Sequence, residues 1–263
     1  MLTRRQFAIG SAAIVPGGLL GGLVGAHLAQ GASVHFNRRL PIPPLIDAAG
    51  QGNKVGLKVT SGRHAFVKGK PTLSYGYSGP VLGPVIRLRR GDEVEMTVEN
   101  GLDVDTTVHW HGLLVPGDVD GGPHQIIKRG STWRPRFRID QPASTLWFHP
   151  HQHHDTARQV YMGLTGLIIV DDGSDAMLGL PRTYGIDDLP IILQDRSFDS
   201  DGSLLYELDP LTIQYGLRGT TIIANGVVSP VCTVPCGWCG CEFSMAPTLR
   251  ILICGSATGA SFT

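Results

Sequence analysis

After a Pro-rich lead-in at Pro41, Pro43 and Pro44, apolar and polar positions alternate in short runs broken by turn residues. Lys54 to Thr60, Val85 to Leu88, Glu93 to Val98, Thr106 to His111 and Trp133 to Ile139 carry a period of two, which sets one strand face on a core and the other in solvent. These runs predict half-buried antiparallel strands, with Arg90-Gly91-Asp92 as a turn between two of them. Leu164 to Val170 is almost wholly apolar, the pattern of a strand covered on both faces. Together they predict a sandwich or barrel of about seven or more strands between about residues 50 and 172. Asp171-Asp172-Gly173-Ser174-Asp175 is a polar break, and Gly179 to Pro190 reads as a linker. Pro190 to Asp195 and Thr220 to Ala224 then resume strand patterning, as the start of a second β-unit.

Composition strengthens the all-β reading, since 35 glycines and 18 prolines among 263 residues favour turns between short strands over long helices. Charge narrows the partners. With 22 basic and 22 acidic residues there is no net field to gather nucleic acid, and no nucleic-acid role is expected. The first residues stand apart from the fold. Arg4-Arg5 and Phe7 precede a nearly uncharged run to Leu28, and small residues follow at Ala29 to Ala32. This resembles a twin-arginine signal peptide over residues 1–32, which implies the twin-arginine export machinery as a partner and a periplasmic location. Six glycines and Pro16 within the run make a poor spanning helix, so no stable membrane anchor is expected after cleavage.

Six of the ten histidines fall in two segments, Val108-His109-Trp110-His111-Gly112 and Trp147 to His154. Residues i and i+2 of a strand share a face, so each His-x-His presents two imidazoles side by side, and two such strands converge four nitrogens on one spot. Imidazoles at that density repel one another once protonated, whereas a metal binds and stabilises their neutral form. His109, His111, His149 and His151 are therefore the expected metal ligands. All-nitrogen ligation suits copper, zinc, nickel or iron, and no carboxylate is placed as in an iron facial triad. The second segment differs from the His-x-His-x-Asp-His of metallo-hydrolases, because His153 holds the fifth position and Asp155 comes two residues late. His153 and His154 read as hydrogen-bonding or exposed residues, and His124 as a surface residue. His27, His35 and His64 carry no functional signal.

Thr107 to Gly112, with Val115-Pro116-Gly117 and Asp120-Gly121-Gly122-Pro123, resembles the first copper motif of multicopper oxidases. Trp147 to His153 resembles the second, and Gly163 to Ile169 the strand that follows it. With the linker Tyr184 to Pro190, the likeness is greatest to bacterial periplasmic copper-efflux and laccase-like oxidases, over about residues 45 to 235. The resemblance implies a cupredoxin-like Greek-key β-sandwich or barrel at 45–175, then a linker and the start of a second cupredoxin-like domain at 176–235. It implies oxidation of Cu(I) or a phenolic reducing substrate with O2 as acceptor, reduced to water, in copper homeostasis. It assigns His109 to a type 2 copper, His111 and His149 to one type 3 copper, His151 to the other, and Asp120 to proton delivery. As an ordinary residue, Asp120 would be a turn aspartate before Gly121-Gly122.

The same resemblance implies further ligands from His-Pro-x-His-x-His and His-Cys-His motifs of a last domain, and neither motif is in this sequence. The type 1 copper ligands are missing likewise, so this chain is expected to hold part of a type 2 and type 3 site and to be inactive alone. All five cysteines, Cys232, Cys236, Cys239, Cys241 and Cys254, lie where the family pattern loses register. The favoured reading of 236–263 is an aberrant tail from a disrupted frame, with a cysteine metal site or disulfides as alternatives. Two other functions compete. One is a periplasmic copper-sequestering protein without turnover. The other is a scaffold like the exported cell-division relatives, which lack the ligand histidines that this chain keeps.

Overall fold

Period-two patterning becomes strands throughout the computed structural model, which describes residues 38–174, 179–234 and 240–245, the last as backbone only. The signal-like leader, His27 and His35 lie outside the described residues, as do Cys236, Cys239 and Cys254. In chain order the strands are β1 (Arg38–Arg39), β2 (Leu45–Asp47), β3 (Lys54–Val67), β4 (Lys70–Tyr77), β5 (Val85–Arg89), β6 (Glu93–Asn100), β7 (His109–His111) and β8 (Thr132–Trp133). They continue as β9 (Arg136–Arg138), β10 (Ser144–His149), β11 (Gly166–Asp171), β12 (Asp188–Arg196), β13 (Thr221–Ala224), β14 (Val227–Val228), β15 (Pro230–Val231) and β16 (Gly240–Met245). Helices α1 (Thr156–Tyr161) and α2 (Pro210–Tyr215) are short, and no described helix is long and apolar enough to cross a membrane.

Two sheets make the first sandwich. One runs β2-β5-β11-β10-β7; the other runs β4-β3-β6-β8, with β9 also on β6. Their inward residues share one core: Val55, Leu57 and Val59 of β3 and Val94, Met96 and Val98 of β6 meet Ile86, Trp110, Phe148 and Ile168 from the opposite sheet. Alternation along β6 and the first half of β3 is the cause, every second side chain there being buried. Strand direction differs from expectation. β2–β5, β5–β11 and β3–β6 are parallel, whereas β3–β4, β7–β10 and β10–β11 are antiparallel. The turn after β5 delivers the chain to β6 in the opposite sheet, so strands adjacent in a sheet come from distant parts of the chain. Alternation records which face is buried and says nothing of direction.

The apolar run at β11 is covered on both faces, as its pattern predicts. Ile168 and Val170 face the sandwich core, while Leu167 and Ile169 join Leu82, Val85 and Ile192 of β12 in a second cluster. β12 belongs to a third sheet, β14-β13-β12-β16. β16 extends it in parallel register from Asp188↔Gly240 to Leu193↔Met245, so part of the segment read as an aberrant tail pairs as a strand. Asn225-Gly226 turns β13 into β14 with both φ angles positive, at 47° and 80°. The buried Asn225 side chain accepts from Ile192 N–H and donates to the carbonyls of Pro41 and Pro190.

Candidate metal centre

β7 and β10 are antiparallel neighbours in the register His149↔His109 and Trp147↔His111. Residues two apart share a face, so Trp110 points into the core with no exposed surface while His109 and His111 point out on the other side. The histidine row of β7 thus lies beside the end of β10, where His149 is the last strand residue. Candidate ligand nitrogens of His109, His111 and His149 all lie within 4.8 Å of one another. His111 Nδ1 stands 3.1 Å from His149 Nε2. Two imidazole nitrogens bound to one ion at about 2.0–2.1 Å would be about 2.9–3.4 Å apart at right-angled to tetrahedral placement, so this pair is spaced for a shared metal. The ring of His151 adjoins the trio, its centroid 5.5 Å from His109 and 6.1 Å from His149.

Hydrogen bonds to backbone carbonyls engage the outer nitrogens of His149 and His109. A carbonyl only accepts, so His149 Nδ1 donates to the Pro150 carbonyl at 2.8 Å, and Nε2 keeps its lone pair. His109 Nδ1 likewise faces the Asp120 carbonyl at 3.1 Å and its carboxylate at 3.3 Å, which turns Nε2 toward the other rings. Burial presses His149 down to about 4, reinforced by the neighbouring imidazoles and opposed by the Pro150 hydrogen bond. Burial, then the charge of His109, also lowers His111, against the opposing pull of Asp120. Both rings are therefore neutral near pH 7, the state that binds metal. His149 is buried and His109 half-buried, while His111 and His151 are exposed, so the centre opens to one side.

Asp120 reaches this site from the loop after β7. Its carbonyl accepts from Trp110 N–H, and Gly121, with φ of 82°, lies so close over β7 that a Cβ there would fall on the Val108 carbonyl oxygen. Asp120 thus stands in a turn, with its carboxylate 3.3 Å from His109 Nδ1. His153 and His154 pack on each other, exposed, and His124 is exposed. His64 bonds the Gly226 carbonyl at 2.7 Å, far along the chain. Three contributors escaped the sequence reading. Trp147 stacks on His149 with centroids 3.9 Å apart, a consequence of their i, i+2 spacing. Thr107 accepts from His151 N–H, and Gln159 bonds the neighbouring Asp105, Thr106 and Asp155; Thr107 sits within the first motif, but Gln159 gives no local signal.

Residues 58–175 match the family model of multicopper oxidases. The multicopper oxidase mco of Staphylococcus aureus is 44% identical over 177 residues, which are 67% of this chain and 38% of that protein. Cell division protein FtsP of Xenorhabdus nematophila is 38% identical over 237 residues, covering 90% of this chain and 48% of that protein. Among solved structures, the laccase-like multicopper oxidase CueO of Ochrobactrum sp. aligns with a TM-score of 0.69 at 46% identity, over 74% of this chain and 46% of that one. The chain spans about half or less of the length of these relatives. The all-β fold is cupredoxin-like, in agreement with the expectation from the motifs.

Proposed function

We propose, from the premise that this chain carries a domain of the multicopper oxidase family, that His109, His111, His149 and His151 hold copper in a periplasmic oxidase exported by the twin-arginine route. The observation that carries the reading is the convergence of three imidazoles, two with facing nitrogens 3.1 Å apart. Copper bound there would pass electrons from a reducing substrate, Cu(I) or a phenol, to O2. His111 and His149 would share one type 3 ion, His109 would serve the type 2 ion and His151 the second type 3 ion. Asp120 fixes the His109 tautomer and places a carboxylate beside the centre for proton delivery. With only this ligand set, the chain alone takes up copper and does not turn over.

Native mass spectrometry and EPR of the purified chain titrated with Cu(II) test the assignment. Uptake is expected in the wild type and its loss in the double variant His109→Ala, His149→Ala; unchanged uptake in that variant would sink the ligand set. A copper-sequestering protein shares the same site, and it differs in showing no O2 consumption with Cu(I) or a phenol even when every part of the longer protein is present. A role in cell division is the second reading, favoured by the FtsP similarity reaching 90% of this chain against 67% for mco. Absence of any copper uptake would leave that reading in place of the oxidase.

A further inference from the structure

We infer that Thr107 and Gln159 are positioning residues for the copper site, fixing the His149-Pro150-His151 segment against the first histidine strand. The inference rests on the copper reading above. His149 is held by the β10 register, but His151 lies beyond the end of β10 and follows a proline that has no N–H to offer. The Pro150 carbonyl is already taken by the His149 ring. His151 is tied back by its own N–H, which donates to Thr107 Oγ1 at 2.5 Å. Thr107 immediately precedes Val108 and β7 and is fully buried. One short bond therefore joins the approach to the first histidine pair to the last ligand of the second.

Gln159 braces the same junction from α1. It has no exposed surface, and both ends of its amide are used. Oε1 accepts from Thr106 Oγ1 at 2.6 Å, while Nε2 donates to the Asp105 carbonyl at 3.0 Å and the Asp155 carboxylate at 2.9 Å. Asp155 and Thr156 close the turn onto the Gln152 carbonyl, so the segment after His151 is folded onto the helix that carries Gln159. A buried amide in this state cannot rotate without leaving polar groups unpaired. Side chains that orient ligands in this way commonly change metal affinity by about 10–100-fold when removed.

The test uses the full chain as wild type, Thr107→Val, Thr107→Ser, Gln159→Leu and Gln159→Asn. Cu(II) affinity is measured by chelator competition, the ligand field by EPR hyperfine splitting, and the fold by circular dichroism and melting. Thr107→Val is nearly isosteric and deletes the hydroxyl that accepts from His151 N–H. It and the Gln159 variants should weaken copper binding by about 10-fold or more and alter the hyperfine pattern, with Thr107→Ser restoring both. Wild-type affinity and spectrum in folded Thr107→Val overturn the inference alone. No copper uptake by the wild type overturns the copper reading and this inference with it. If Gln159→Leu does not fold, Gln159→Asn and the Val and Ser pair at position 107 carry the comparison.

Discussion

At His149 a buried ring, three imidazole neighbours and one carbonyl contact act on a single proton equilibrium. Its ordinary value of 6.5 falls to about 4 in the folded chain, desolvation being the largest cause. The unfolded chain therefore binds a proton that the folded chain refuses between these two values. Stability contributed above pH 6.5 should be lost as pH falls from 6.5 toward 4, and the gap corresponds to roughly 3 kcal/mol. Urea unfolding of the metal-free chain at pH 7.5 and pH 4.5 should show this loss, and His149→Gln should show much less of it. Equal acid sensitivity in the two proteins would assign the effect elsewhere. Trp147 acts on the same ring through packing. Its replacement by leucine frees the His149 face that the indole covers, and the lowered proton affinity should relax part of the way back toward 6.5, measurable by NMR titration.

Elements differ in how plainly they are written. β3, β5, β6, β11, β12 and β13 follow runs of period two or continuous apolarity, because burial of one or both faces selects those patterns. β4 is masked by Thr72 and Ser74, polar residues that are nonetheless buried. α1 and α2 are too short for a 3.6-residue period to register; α2 is set instead by the Asp209 and Thr212 capping box with Pro210 behind it. The candidate ligands were legible because their chemistry and spacing are local. Gln159 was not, since its bonds to Asp105 and Thr106 span more than fifty residues. The loop over β7 gives a direct prediction: Gly121→Ala must abandon a positive φ or displace the Val108 carbonyl, costing about 2 kcal/mol or more. Thermal melting reads the loss, and a melting point unchanged from wild type would contradict the close approach. Arg196 caps α1 from β12, donating to the carbonyls of Tyr161 and Val160 and lying 4.5 Å over the Tyr161 ring. Arg196→Met takes the guanidinium donor from the Tyr161 carbonyl, at about 1–3 kcal/mol, while the Val160 carbonyl keeps Gly163 N–H, and should speed amide exchange in α1 before it disturbs β10.

Across the whole described molecule, the third sheet and the first sandwich are bound by buried polar groups as well as by apolar contact. Asn225 ties the β13–β14 turn to Pro41 and Pro190, and His64 of β3 meets the Gly226 carbonyl from the other side. Asn225→Ala should cost about 3 kcal/mol, since it strands Ile192 N–H and two carbonyls and forces a positive φ on alanine. Denaturant titration would show the loss as a single shifted transition; two separate transitions would mean that the sheets unfold independently. β11 carries the larger consequence. A chain severed after residue 174 would keep every histidine of the candidate metal centre, yet strip the cover from Leu82, Val85, Leu167 and Ile169. Anyone wishing to excise a minimal copper-binding barrel would recover a sticky one, because the wall nearest the cut is shared masonry and belongs as much to the neighbouring room.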